Sequence, residues 1–286
     1  MIGVFDSGQG GLTVLRALVA RFPRQSFLYL GDHANAPYGE RPADEVIALT
    51  EAALARLFGL GCRLVLLGCN TATAVAARRL QQHWLADSGW RAKGHNVLGI
   101  IAPTVEAATQ TPWAVVTPQY PQKYNSDTIA VFATTRTIAS HVYAEEIAKR
   151  CPRVTVVQQA CPGLAGAIER AAPATEIDAL VAVAAAAVLA GLGSTRLDRA
   201  ILGCTHYPLV EDVFGRHLPA STRLLSQPEI VADSLDDYLA RHPEFAGGEG
   251  EGVALRVRLL TSGDPIPANR GAQLFWPAAP TFEPLR

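Results

Sequence analysis

Short apolar runs alternate with helical patterns along most of the chain. Apolar residues recur every three or four positions across residues 12–22 and 46–57, which places them on one side of a helix. The runs between such segments are short and apolar, as buried parallel strands are. Strands are predicted at Ile2–Phe5, Phe27–Leu30, Leu64–Leu67, Val97–Ile101, Ile129–Phe132, Val154–Val157, Ala200–Leu202 and Ala254–Leu260. The alternation predicts an α/β protein in which helices cover both faces of parallel sheets.

Two segments interrupt this alternation. Residues 112–127 contain three prolines and an Asn-Ser-Asp turn, which predicts an excursion loop rather than a core element. Residues 247–252 read Gly-Gly-Glu-Gly-Glu-Gly and predict a flexible surface connection. Neither segment is typical of a long linker between domains.

The sequence around residue 69 is repeated, in outline, around residue 204. The stretches LVLLGCNTAT at residues 64–73 and RAILGCTHYP at residues 199–208 share one order: an apolar strand, Gly-Cys, hydroxyl or amide side chains, then a helix. Their cysteines lie 135 residues apart, close to half of the 286-residue chain. This repeat predicts two pseudo-symmetric, doubly wound α/β halves that face each other, each contributing one cysteine from the carboxyl end of a strand.

Composition narrows the class of protein. Hydrophobic residues make up 49% of the chain and charged residues 18%, enough apolar material for one large or two ordinary domains. The formal net charge is -1, so the basic face that nucleic acid or anionic lipid would need is lacking, and neither is expected as a partner. No basic segment precedes an apolar run at the N-terminus, and the longest apolar run, Ala179–Leu192, is shorter than the roughly 18 residues that cross a bilayer. We therefore expect a cytoplasmic protein.

The chain has five cysteines, an odd number, and no two of them have the CxxC spacing of zinc or redox sites. We expect all the thiols to be free. Buried packing accounts for Cys62, Cys151 and Cys161, since a free cysteine behaves as a small apolar side chain. The other two are followed by polar side chains, which would each need a partner if they only filled a core. They are Cys69, followed by Asn70 and Thr71, and Cys204, followed by Thr205 and His206.

The opening strand ends in a third group of polar residues. Asp6 and Ser7 precede a cluster of glycines, where the chain can turn tightly, and the helix that follows offers unpaired N–H groups to an anion. The cluster has neither the GxGxxG spacing of a dinucleotide site nor the Lys-Ser or Lys-Thr of a phosphate loop. A small carboxylate fits this position better, although Asp6 and Ser7 could equally serve only to cap the helix.

Five motifs together carry a resemblance. They are FDSGQGGLTV at residues 5–14, APYGER at residues 36–41, GCNTAT at residues 68–73, ACPGLAGAIE at residues 160–169 and LGCTHYPL at residues 202–209. In this order they resemble the glutamate racemase family, within the wider group of cofactor-independent aspartate and glutamate racemases, over roughly three quarters of the chain. His206, two residues after the second cysteine, is similar to the glutamate branch, since aspartate racemases usually have Glu close after that cysteine.

The resemblance implies racemisation of glutamate without a cofactor or metal, supplying D-glutamate for peptidoglycan synthesis. Such a reaction removes the proton from Cα on one face and returns one on the other, so two acid–base groups must flank a nearly planar carbanion. Two cysteines on facing halves supply that pair, with their sulfurs roughly 7 Å apart. The resemblance implies that Asp6 assists Cys69, and that His206 with Glu169 assists Cys204. Substrate contacts are implied for Asp6, Ser7, Tyr38, Gly39, Asn70, Thr71, Thr205 and His206.

The resemblance and the internal repeat also predict the domain organisation. Residues 1–97 plus 209–286 would form the first α/β domain and residues 98–208 the second, with the active site in the cleft between them. The family often forms dimers, so a homodimer is a further expectation.

Some stretches depart from the family's usual pattern. Within residues 131–143, glycine is common where this chain has Ala133 and Arg136. An arginine there could alter the substrate side of the cleft, which leaves any contact of Thr137 open. The excursion at residues 112–127 is longer than usual, and Pro-Thr-Val at residues 103–105 replaces a commoner Pro-Gly-Ala.

Four other readings stay open. The chain could racemise another amino acid, such as aspartate or a broader set. It could be a hydrolase with Cys204 as nucleophile and His206 as base, in which case Cys69→Ser would keep its activity. It could be a non-catalytic binding module for a small acid. His206 could also join Cys69, Cys204 and Asp6 in a metal site, although the sequence lacks closely spaced ligand pairs.

Overall fold

The structure is a computed structural model that describes residues 1–115, 117–118, 120, 127–246 and 257–285. Its strands are β1 (Ile2–Asp6), β2 (Phe27–Gly31), β3 (Leu64–Leu67), β4 (Asn96–Gly99), β5 (Thr128–Ala133), β6 (Thr155–Ala160), β7 (Arg199–Gly203), β8 (Arg223–Leu225), β9 (Val257–Thr261) and β10 (Phe282–Pro284). Its α-helices are α1 (Leu12–Arg21), α2 (Ala43–Gly59), α3 (Asn70–Arg79), α4 (Leu85–Asp87), α5 (Ile101–Thr109), α6 (Thr135–Ala139), α7 (Val142–Arg150), α8 (Leu164–Glu169), α9 (Ala174–Leu192), α10 (Glu211–His217), α11 (Gln227–Arg241) and α12 (Pro265–Phe275). Short 3-10 or π-helical segments lie at His33–Asn35, Tyr38–Glu40, Leu80–Trp84, Arg91–Lys93, Tyr207–Val210 and Pro243–Phe245.

The described strands form two parallel sheets. The first has the order β10-β9-β2-β1-β3-β4, and the second has the order β6-β5-β7-β8. In the first sheet β1 is central, with Ile2 facing Phe27 of β2 on one side and Leu64 of β3 on the other. In the second sheet β7 lies between β5 and β8. Two parallel sheets with helices confirm the predicted α/β class.

Apolar side chains on both faces of the first sheet explain why its central strands read as continuous hydrophobic runs. Successive residues of a strand point to opposite faces. Leu64 and Leu66 of β3 belong to one apolar cluster, whereas Val65 and Leu67 belong to another. Every residue of β1, β2 and β3 is buried, as expected for strands with helices packed on both faces.

The second sheet extends further along the chain than the predicted domain division. Strand β8 pairs with β7 through Arg199 and Arg223, so residues 223–225 belong to the second sheet. A division at residue 208 would assign them to the first domain. Three residues are too few to show a strand period, which is why the sequence pattern missed this strand. The division into two domains stays a proposal. Because β8 pairs with β7, we propose that the boundary predicted after residue 208 lies after Leu225 instead.

Other predicted boundaries also shift. The strand predicted at Val97–Ile101 ends at Gly99, because α5 begins at Ile101. The predicted strand Ala254–Leu260 begins outside the described residues, and its described part coincides with β9. The glycine-rich connection at residues 247–252 and part of the excursion at 112–127 also lie outside them.

Helix α9 is longer than the apolar run that the sequence marked. It covers Ala174–Leu192, which is 19 residues, and among the described helices it is long and apolar enough to cross a membrane by length and composition alone. The expectation counted only the apolar run Ala179–Leu192, and the helix that contains it begins five residues earlier. Val181, Ala184 and Val188 pack into the apolar core. Core helices pass the same test, so length and composition do not by themselves assign α9 to a membrane.

Candidate active site

A cavity of about 410 Å³ lies where the carboxyl ends of the two sheets meet. Its walls come from the segments that follow β1, β2 and β3 in the first sheet and β5, β6 and β7 in the second. The lining includes Ser7, Tyr38, Gly39, Cys69, Asn70, Thr71, Thr134, Thr135, Cys161, Glu169, Cys204, Thr205 and His206. The cavity thus brings together residues predicted from the separate motifs, including both repeated cysteines.

Each half of the protein places one cysteine on the cavity wall. Cys69 is the residue immediately before α3, and its sulfur accepts the backbone N–H of Ala72 at 3.5 Å. The Ser7 hydroxyl lies 3.5 Å from the same sulfur. In the second half, Cys204 Sγ lies 3.6 Å from Nδ1 of His206. All five cysteines are free, which confirms that prediction, while the roughly 7 Å separation of the two sulfurs stays a prediction.

The surroundings of Cys69 keep it protonated. Burial, and after it the nearby Asp6 carboxylate, raises the pKa of its thiol to about 12. The N–H of Ala72 and the hydroxyl of Ser7 act in the opposite direction but do not outweigh burial. At neutral pH Cys69 is therefore a thiol, able to donate a proton.

The surroundings of Cys204 supply a cation. His206 Nε2 lies 2.9 Å from Oε1 of Glu169. Burial opposes a charged His206, but the neighbouring Cys204 and Glu169 outweigh it and raise its pKa to about 10. Burial also opposes the Glu169 charge, yet the hydrogen bond from His206 lowers the pKa of Glu169. The two side chains therefore form an ion pair at neutral pH, and the imidazolium of that pair lies beside the Cys204 sulfur.

Asp6 lies behind the cavity wall rather than on it. It is 1% exposed and is not one of the lining residues. Its carboxylate accepts the N–H of Gly8 at 2.8 Å and the hydroxyl of Thr205 at 3.5 Å. Burial raises its pKa despite the opposing charge of His206. Because Asp6 does not line the cavity, its position does not support a direct contact with the substrate. Its assistance to Cys69 stays a prediction.

Three threonine hydroxyls form a triangle at one end of the cavity. Thr71 Oγ1 lies 3.0 Å from Thr134 Oγ1 and 3.3 Å from Thr137 Oγ1, and the last two are 3.0 Å apart. Thr134 and Thr135 also line the cavity, and neither was among the predicted site residues. Their position directly after the predicted strand Ile129–Phe132 was the available signal.

The segment after β2 closes another side of the cavity. Tyr38 lines the cavity, and its hydroxyl donates at 2.6 Å to Asp32, which is not a lining residue. Arg136 donates from Nε to the carbonyl of Arg41 at 2.7 Å. This bond ties α6 of the second half to the Tyr38 segment of the first.

Two further findings concern Cys161 and the possibility of a metal site. Cys161 was expected to serve only in packing, but it lines the cavity. Burial raises the pKa of its thiol to about 12. Across the described ranges, no group of three or more His, Cys, Asp or Glu side chains is arranged to hold a metal ion.

Two parallel-sheet halves that each present a free cysteine to one shared cavity have the arrangement that an amino-acid racemase, a class of isomerase, requires. No family model matches the chain. A relative from Phenylobacterium zucineum named glutamate racemase is 49% identical over 287 residues, covering 99% of each chain. One from Caulobacter sp., with the same name, is 50% identical over 286 residues and again covers 99% of each. The chain belongs to the glutamate racemase family.

Solved structures agree with this assignment. A glutamate racemase isoform from Bacillus anthracis has a TM-score of 0.83 at 28% identity, covering 100% of this chain and 97% of that one. A glutamate racemase from Francisella tularensis, solved in complex with D-glutamate, has a TM-score of 0.82 at 23% identity with the same coverage. At that identity the second likeness concerns the fold alone.

Proposed function

We propose that the chain interconverts L-glutamate and D-glutamate by proton transfer at Cα between Cys69 and Cys204. The observation that carries the proposal is that both cysteines, one from each half of the protein, line the same cavity. Proton removal on one face and return on the other require two acid–base groups on opposite sides of the substrate. A single catalytic cysteine would account for only one of the two.

In one direction, the Cys204 thiolate beside the His206 cation takes the Cα proton, and the bonding electrons stay on carbon. The Cys69 thiol then donates its proton to the opposite face, which leaves Cys69 as the thiolate and Cys204 as the thiol. In the other direction Cys69 must ionise first, and its pKa of about 12 makes that step demanding. Asp6, whose pKa is raised by burial, is the proposed proton acceptor for that step.

The start of α3 is the proposed site for the substrate carboxylate. Asn70 and Thr71 begin this helix, where free N–H groups and the helix dipole favour an anion. The hydroxyls of Thr71 and Thr134 add donors within reach of the same position.

Solvent exchange provides the test. The protein is incubated in D₂O with each enantiomer of glutamate, and both deuterium at Cα and optical rotation are followed. Wild-type protein should exchange and racemise both. Cys69→Ser and Cys204→Ser should each lose racemisation, because a serine hydroxyl does not ionise at neutral pH. Cys62→Ser, which changes a buried cysteine outside the cavity lining, is the matched control and should stay active.

The outcomes separate the other readings. Retained activity in Cys69→Ser would favour the hydrolase. Glutamate binding without exchange at Cα would favour a binding module. Faster turnover of aspartate or another amino acid would favour a different substrate.

We also infer the physiological setting from the family. The enzyme would supply D-glutamate for peptidoglycan in the cytoplasm, as a homodimer. Light scattering coupled to gel filtration measures the mass of the particle directly, and a value near 30.4 kDa, the mass of one chain, would contradict the homodimer.

A further inference from the structure

Behind the cavity wall, four buried polar side chains join four helices. Asn70 begins α3, Thr104 lies in α5, Tyr143 lies in α7 and Gln227 begins α11. None is more than 3% exposed. Gln227 lies 157 residues from Asn70 along the chain, so only the tertiary fold brings the two amides together. We name these four residues the interhelical polar cluster. Asn70 is the member that also lines the cavity.

Hydrogen bonds in the cluster fix the orientation of the Gln227 amide. The Ile100 carbonyl can only accept, and the Thr104 hydroxyl donates to it at 2.7 Å. Thr104 therefore presents a lone pair to Gln227, whose Nε2 donates to it at 2.9 Å. With Nε2 turned this way, Gln227 Oε1 faces Asn70 and accepts from its Nδ2 at 2.5 Å.

The oriented amide of Gln227 in turn fixes the orientation of the Asn70 amide. Its Nδ2 faces Gln227, so its Oδ1 faces Tyr143 and accepts the phenol hydrogen at 2.8 Å. Gln227 Nε2 donates to the same oxygen at 3.1 Å. Nδ2 carries a second hydrogen, for which the described residues offer no acceptor. The hydrogen-bonding capacity that Asn70 has left is therefore a donor, not an acceptor.

We propose that Gln227 is a positioning residue for substrate binding, which holds Asn70 with an N–H directed at the substrate carboxylate. The inference rests on the racemase function proposed above. In the flipped orientation, Asn70 would turn its carbonyl oxygen toward the carboxylate, and attraction would become repulsion. The carboxylate is present in both the bound substrate and the transition state, so losing this contact should raise KM more than it lowers kcat.

Two threonines of α5 offer a matched pair for the test. Both are buried, and each hydroxyl donates to the carbonyl four residues earlier at 2.7 Å. Only Thr104 of the two contacts Gln227. Thr104→Val should raise KM for both enantiomers about fivefold, the effect of one hydrogen bond, with kcat changed less than about twofold. Thr109→Val should leave KM unchanged, and equal KM values for the two variants would overturn the proposal.

A double-substitution cycle gives the second test. Gln227→Met removes the hydrogen bonds of Gln227 but keeps the length of the side chain, and should raise KM about tenfold. In an Asn70→Ala background the same change should have no further effect on KM, since the amide that Gln227 orients is gone. Two KM increases that simply multiply would show that Gln227 acts by another route, and would refute the proposal.

Stability and binding measurements separate the proposal from its alternatives. A lower melting temperature with no change in KM would assign the cluster a structural role only, and would also refute the proposal. Failure of wild-type protein to racemise glutamate would instead reject the function proposed above. Calorimetric binding of glutamate to wild type, Thr104→Val and Thr109→Val would then still test whether the cluster positions Asn70.

Discussion

Replacing Glu169 by Gln tests how the cavity holds a cation beside Cys204. The change keeps the shape of the side chain and removes its negative charge. His206 Nε2 lies 2.9 Å from Glu169 Oε1, and the pKa of His206 is raised to about 10 although burial opposes it. If Glu169 supplies part of that increase, the pKa of His206 should be lower in the Glu169→Gln variant than in wild type.

The distance gives the size of the effect. Two unit charges 2.9 Å apart attract by about 1.4 kcal/mol even at the dielectric constant of water. We use that value because the Glu169 side chain is 35% exposed and solvent screens the pair. About 1.4 kcal/mol corresponds to about one pKa unit, so the pKa of His206 should fall from about 10 to about 9 or lower.

NMR titration of the His206 ring in wild type and Glu169→Gln measures this fall directly. The pH at which kcat/KM declines on the basic side should move down with it, for the direction in which Cys204 removes the proton. Glu176→Gln, which removes the charge of a surface ion pair with Arg170, is the control and should change neither value. An unchanged His206 titration in Glu169→Gln would refute the assignment of this charge pair.

The same pair makes stability depend on pH. The raised pKa of His206 contributes stability that is full below its unfolded pKa near 6.5 and is lost as pH rises through about 10. The lowered pKa of Glu169 contributes stability above its unfolded value near 4.5, which is lost on acidification. The melting temperatures of wild type and Glu169→Gln should therefore differ most between about pH 5 and 6.5 and converge toward pH 10. A difference that grows with rising pH would contradict this sign.

Three further predictions follow from single contacts. Cys69, with a pKa of about 12, should react with iodoacetamide at pH 7.5 about 10²-fold more slowly than a free thiol; peptide mass spectrometry that finds the free-thiol rate would disprove its protonated state. A Cβ at Gly10 would lie 2.5 Å from Cε1 of His206, so Gly10→Ala should lower the free energy of unfolding by about 1–3 kcal/mol in urea denaturation. Gly59→Ala, where a Cβ meets nothing within 4 Å, should not, and equal losses would rule out the clash as the cause. Arg136→Ala removes the 2.7 Å hydrogen bond to the segment after β2 and should raise KM about fivefold; an unchanged KM in steady-state kinetics would mean that this bond does not support the cavity.

Much of the site could be located from the ends of predicted strands. Ser7, Cys69 and Cys204 each follow an apolar run closely, and all three line the cavity. Parallel strands bring their carboxyl ends to one edge of a sheet, so a strand pattern is enough to gather such residues. Thr134 follows the same rule, since it comes directly after β5, but the predicted strand ended one residue earlier, at Phe132.

Other residues of the site could not be located from the ends of predicted strands. Cys161 directly follows β6, but the predicted strand ended at Val157, so the rule that gathers strand ends did not reach it. Gln227 follows β8, a strand of three residues that leaves no period in the sequence. Asp6 was correctly placed at a strand end, but its position behind the wall depends on how Gly8 and Thr205 pack around it.

The sequence by itself determined the α/β elements, the two matching strand ends and the residue types that the cavity presents, because these depend on local periodicity and composition. Only the tertiary structure decided the charge that each group carries. The pKa of a side chain depends on burial and on charges within a few ångströms, and residues far away in the sequence supply both. Glu169 approaches His206, and Asp6 approaches Cys69, only after the chain has folded, so the acid–base difference between the two halves is a property of the fold.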